Sequence, residues 1–217
     1  MNTSTYAKTN EFPFDFVNFD LTTPQPTLDA DLLRQLSFIP GLKEILMLRQ
    51  VHALEHATVW VLSESKSTHP PLVTSSNFQI DNELLSGLST DRGFFLYGEV
   101  NISDLRRAVT LALHRLTNGE WHLAVHPRCG TNLSVAMLLT AGLAVGAHVL
   151  LPRGPIEQLV GLGLAATTAA ELAPNIGALA QRYLTTAIPF NLETENITRT
   201  HDVWGREAYF VKVRWRE

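Results

Sequence analysis

From Cys129 to Pro152 the chain carries no Asp, Glu, Lys or Arg. As an α-helix, a run of about 24 residues extends about 36 Å, and a bilayer core is about 30 Å thick. Such a segment either crosses a membrane or forms the centre of a buried helical hairpin. It contains Gly142-Leu143-Ala144-Val145-Gly146, a spacing of small residues that lets helices approach closely. After the bend Pro152-Arg153-Gly154-Pro155, a shorter uncharged run lies between Glu157 and Glu171. It is worth only about 20 Å of helix. The two runs are expected to form an apolar helical hairpin over about residues 132–173, and through it the protein is expected to associate with a membrane.

The rest of the chain has the content of one ordinary domain. Residues 1–27, ending in Thr-Pro-Gln-Pro, read as an extended or disordered arm, and residues 28–217 as a single domain that includes the hairpin. A helix is expected from about Leu32, interrupted at Pro40-Gly41, and a second from about Leu42 to Leu62 on the helical spacing of Ile45, Leu46, Leu48, Val51, Leu54, Val59 and Leu62. Ser63 to Asn82, with its His69-Pro70-Pro71, reads as a loop. Asp91-Arg92-Gly93 reads as a turn and Phe94–Val100 as a strand. Asp104–Leu116 follows as a helix capped by Asn101 or Ser103, and His122–His126 as a short strand. That order suggests a small βαβ-like unit. Near the C-terminus, residues 196–203 and the alternating Tyr209–Arg214 read as a hairpin joining the same sheet. The expected class is α+β: mainly helical, with a small mixed sheet and an apolar helical hairpin.

Composition removes several functions. Net charge is −4, and Lys and Arg are scattered, which argues against a nucleic-acid partner. The single cysteine, Cys129, rules out an intrachain disulfide and a four-cysteine zinc site. No basic segment followed by an apolar one opens the chain, so the globular part is expected in the cytoplasm. There is no G-x-S-x-G, phosphate loop or dinucleotide fingerprint.

Two motifs carry chemistry. His52-Ala53-Leu54-Glu55-His56 is H-x-x-E-H. Residues four apart on a helix share a face, so both imidazoles project together, with Glu55 at the edge of that face. Two histidines beside a carboxylate suit a divalent metal, zinc first, with the carboxylate as base on an activated water. The order is the reversed zincin order. His126-Pro127-Arg128-Cys129-Gly130-Thr131 stands just before the apolar helix, and a polar cluster there is costly to bury unpaired.

Together the motifs resemble a widespread family of bacterial membrane proteins regarded as metal-dependent enzymes, which carry H-G-A-E-H early and H-P-R-C-G-T later. The chain is still more similar to a cyanobacterial family of unknown function with the same two motifs, over about Leu48 to Leu139. The resemblance implies metal binding and membrane association, and no particular reaction. The bacterial family usually has Lys after the second His, where this chain has Ala57, and tends to have more apolar helices.

His52 and His56 supply part of a tetrahedral shell. Cys129 is the favoured third ligand, and His126 the other. If only Cys129 joins them, a position remains for water. If His126 also binds, the shell closes and the site is structural. Arg128 is expected to stabilise an anionic transition state, with Thr131 as a hydrogen-bonding neighbour. His122 is a supporting candidate, whereas His148, His114 and His201 read as core or surface residues. Two functions follow: a zinc-dependent hydrolase of peptidase or amidase type at the membrane, or a non-catalytic, metal-stabilised membrane scaffold or assembly factor.

Overall fold

The computed structural model describes residues 24–66 and 81–216. Most of the expected arm, up to residue 23, and most of the expected loop, residues 67–80, lie outside the described residues. In chain order the elements are α1 (Leu28–Gln35), α2 (Leu42–Lys66), β1 (Ser86–Thr90), β2 (Gly93–Tyr97), α3 (Ile102–Thr117), a 3₁₀ turn (Trp121–Ala124), α4 (Gly130–Leu150), α5 (Pro155–Ala180) running into a π turn (Gln181–Thr185), β3 (Leu192–His201) and β4 (Glu207–Trp215). The α+β class is as expected.

α2 is the spine of the molecule. Apart from the half-buried His52, every residue from Gln50 to Ser63 is buried. The helix is therefore covered on all sides, as its apolar content all round requires. Its polar members are satisfied locally, Thr58 Oγ1 bonding the Leu54 carbonyl at 2.7 Å and Ser63 Oγ the Val59 carbonyl at 2.8 Å. α3 lays Leu105, Val109, Ala112 and Leu116 against the core, and its N-terminus is capped by the Asn101 side chain, which accepts from the Ser103 N–H at 2.8 Å. Phe94 and Leu96 of β2 and Val211 and Val213 of β4 close the same core from the sheet. Burying each large side chain stabilises the fold by about 1.5–3 kcal/mol.

The sheet has the order β1-β2-β4-β3 and is antiparallel throughout. The C-terminal hairpin joins it as expected, but β1 was not anticipated, because Ser-Gly-Leu-Ser-Thr has almost no apolar content. The expected strand His122–His126 does not exist, nor does the βαβ unit built on it. Residues 121–124 form the 3₁₀ turn, and Leu123 and Ala124 are buried in the core. The carbonyls of Ala124 and Val125 accept from His56 Nδ1 and Trp60 Nε1, at 2.7 and 3.0 Å, and not from a neighbouring strand. The alternation was thus core packing without a ladder.

α4 and α5 make the apolar hairpin. Each is long and apolar enough to cross a membrane, and no residue of α4 is buried. The stripe that packs the pair is not the Gly142–Gly146 spacing, around which space is open, but Gly161, Ala165, Ala169, Ala173 and Gly177 of α5. At Gly177 a β-carbon would fall 2.2 Å from Asn132 Oδ1 and 3.1 Å from the Asn132 Cα, so only glycine allows this approach. α5 continues unbroken through Pro174.

Candidate metal centre

His52 and His56 lie one helical turn apart in the middle of α2, their rings 4.4 Å apart. Each is fixed by a backbone carbonyl. His52 Nδ1 lies 3.0 Å from the Thr185 carbonyl, and His56 Nδ1 lies 2.7 Å from the Ala124 carbonyl. A carbonyl can only accept, so both rings hold a proton on Nδ1, and Nε2 is the atom left to meet other groups. Metal-ligating histidines are oriented by this kind of outer partner.

Cys129 faces them. It is the N-cap of α4, and its Sγ accepts from the Thr131 N–H at 3.4 Å and lies 3.2 Å from His52 Nε2. Burial pushes the thiol up, but hydrogen bonding and charge from His56, with the Thr131 hydroxyl and N–H, outweigh it and hold Cys129 below the usual thiol range. One ligand atom each from His52, His56 and Cys129 lie within 4.8 Å of one another. A tetrahedral zinc shell with these donors separates them by about 3.3–3.6 Å, so the trio fits an ion after side-chain shifts of about 1 Å.

The turn that holds His52 is unusual. The end of α5 passes into the π turn Gln181–Thr185, a feature frequent at functional sites. It delivers the Thr185 carbonyl to His52 and the Thr185 hydroxyl to Thr131 at 3.1 Å. The fully buried Gln181 accepts from the His126 N–H at 2.8 Å and donates to Asn132 Oδ1 at 2.7 Å. The hairpin root is thereby tied to the H-P-R-C-G-T segment.

The remaining expected residues are distributed differently. His126 is buried beside the trio and stacks 4.6 Å from Trp60. Its Nδ1 accepts from the Arg128 N–H at 3.3 Å, and its Nε2 lies 3.4 Å from an Asp81 oxygen. Burial, reinforced by His56, lowers it to about 4, so it is neutral near pH 7. Arg128 lines the cavity and is engaged with the segment before β1. It holds Asp81 through two 2.6 Å bonds and also donates to the carbonyls of Asn82, Glu83 and Leu85. It is a clamp on the segment that leads into β1.

Glu55 is buried under that strand. Its Oε2 accepts from Ser89 Oγ at 2.5 Å, and burial raises its pKa against the lowering effects of Ser89 and His52. A β-carbon on Gly87 would lie 2.2–2.5 Å from the Glu55 side chain, so glycine there makes room for the carboxylate. Gly87, Ser89, Asp81, Gln181 and Thr185 were not identified from the sequence. The turn at Asp91-Arg92-Gly93 was the one signal that a paired strand should precede it. His52, Glu55, His56, His126, Arg128 and Cys129 all line one cavity of about 580 Å³, shared with Ser86–Ser89, Thr131 and Thr185.

The domain of unknown function DUF6391 matches residues 47–197. The chain belongs to this family. An uncharacterised protein of the cyanobacterium Picosynechococcus sp. (strain ATCC 27264 / PCC 7002 / PR-6) is 50% identical over 202 residues, covering 93% of this chain and 96% of that protein. No solved structure matches the chain significantly. The family segment contains α2, both motifs, the whole hairpin and the π turn, so every residue of the candidate centre lies inside it.

Proposed function

We propose that this DUF6391 protein is a zinc-dependent hydrolase of peptidase or amidase type, anchored to a membrane by α4 and α5. The observation that carries the reading is the pair of imidazoles whose Nδ1 atoms are held by the Thr185 and Ala124 carbonyls, with both Nε2 atoms left for a single buried thiol. Zinc bound there would lower the pKa of a coordinated water and polarise a carbonyl. His52, His56 and Cys129 would hold it. His126 is engaged with the Arg128 N–H, which leaves the fourth position to the cavity and favours catalysis over a closed site.

Glu55 is the base. It would take a proton from the attacking water as the new C–O bond forms, and return it to the leaving nitrogen as the C–N bond breaks. Ser89 and Gly87 fix where its carboxylate stands. Arg128 positions the strand above Glu55 through its bond to the Leu85 carbonyl. The resemblance to metal-dependent bacterial membrane enzymes supports metal binding at a membrane and no particular reaction.

The exposed apolar faces of α4 and α5 support membrane anchoring. Arg128 and Arg182 flank the hairpin at its globular end, against Arg153 at its tip, and under the positive-inside rule this bias supports a cytoplasmic globular part as our reading. A second reading rests on the trio's joining α2 to the hairpin root: the ion would then be a staple for a scaffold. Glu55→Gln distinguishes them. The hydrolase keeps about one zinc per chain and loses release of new amino groups from apolar peptides in detergent. The scaffold shows no such release in the wild type.

A further inference from the structure

Among the described residues β1 is an edge strand with no strand on its outer side. The Val213 N–H bonds the Arg92 carbonyl at 3.0 Å, which makes that pair hydrogen-bonded and sets the alternation along β2. Counting from it, Phe94 pairs towards β4, whereas Gly93 and Phe95 pair towards β1. Thr90, Leu88 and Ser86 are therefore bonded inward, and the N–H and C=O groups of Gly87 and Ser89 point outward. The next outward carbonyl, that of Leu85, accepts from Arg128 at 3.3 Å. Arg128 adjoins Cys129, so the edge looks onto the side of the metal trio. Gly87 and Ser89 line the same cavity as His52, His56 and Cys129.

The mouth of that cavity is apolar. Ile45 and Leu48 of α2, Leu88 of β1 and Leu184 of the π turn line it and are exposed. We propose that the substrate is an extended apolar peptide segment, which pairs as an added strand on the open edge of β1 through Gly87 and Ser89 and thereby crosses the metal trio. This names the substrate class of the hydrolase proposed above and rests on that reading. An acyl chain would satisfy the apolar mouth but offers no row of amides to the strand. A peptide satisfies both. Alternate side chains of the added strand would fall towards Leu88 and the mouth.

The test uses the zinc-loaded full chain in detergent and three probes that share a hydroxamate group: tri-leucine hydroxamate, the same compound with its backbone amides methylated, and dodecanoyl hydroxamate. Affinity is measured by calorimetry, amide hydrogen exchange over residues 86–90 by mass spectrometry, and zinc on the same sample. The expected result is tri-leucine binding at least 10-fold tighter than its methylated form, with slowed exchange in β1 for tri-leucine alone. Equal affinity for both peptides, tighter binding of the acyl probe, or no binding to a zinc-loaded chain overturns the peptide proposal while leaving the metal site standing. A chain that takes up no zinc overturns the underlying reading as well.

Discussion

Gly87→Ala tests how the carboxylate is placed. The added methyl group would sit 2.2 Å from Glu55 Oε1 and 2.4 Å from Cδ, inside a buried contact between β1 and α2. Glu55 must move, and its bond from Ser89 must break. Overpacking costs about 1–3 kcal/mol and a buried carboxylate left short of a partner about 1–3 more, offset by about 0.5–1 for replacing glycine in a strand, a net loss of about 1–5 kcal/mol. For a chain of this length that corresponds to a fall of about 2–20 °C in melting temperature. The assay is thermal unfolding in detergent of the wild type, Gly87→Ala, Glu55→Ala and the double variant. Removing the Glu55 carboxylate abolishes the clash, so the double variant should be about 2 kcal/mol more stable than the sum of the single effects. A shift of under about 1 °C for Gly87→Ala, or additivity within about 0.5 kcal/mol, would refute the claim that this glycine exists to admit the carboxylate.

Gln181→Leu leaves the His126 N–H and Asn132 without their partner and should cost about 2–4 kcal/mol and about 10-fold in zinc affinity, read by thermal unfolding and by competition with a chelating dye. Unchanged zinc affinity would mean that the π turn does not support the centre. Asp202 supplies a pH dependence far from the site. Burial raises its pKa, but the N–H groups of Arg206 and Trp204, the Arg206 guanidinium and the Tyr97 hydroxyl outweigh this and hold it at about 2, below the unfolded value of about 3.9. The unfolded chain therefore binds the proton first, and the stabilisation is full above about pH 4 and disappears as pH falls towards about 2. Asp202→Asn should be less stable than the wild type at pH 6 and converge with it in acid; a constant difference would contradict this.

The sequence was most legible where one helix carried the pattern. The H-x-x-E-H spacing fixed the relation of His52 to His56, and Cys129 met them because it caps the helix that the uncharged run predicts. What escaped depends on partners remote in sequence. The ion pair of Arg128 was not foreseen because its partner, Asp81, lies 47 positions away. The bond from the Arg128 N–H to His126 Nδ1 was likewise not foreseen, because it depends on the turn the chain makes before α4. β1 was invisible because its stability comes from β2 and α2 and not from its own side chains. The false strand at His122–His126 shows the converse, a local alternation used for core packing and for accepting side-chain donors.

Elemental analysis of the full chain, purified in detergent without chelators, tests the central claim most directly. About one zinc per chain in the wild type, retained in Glu55→Gln and lost in His52→Ala, His56→Ala and Cys129→Ser, is the predicted result. A wild type without stoichiometric metal, or ligand variants that keep it, would contradict the metal centre.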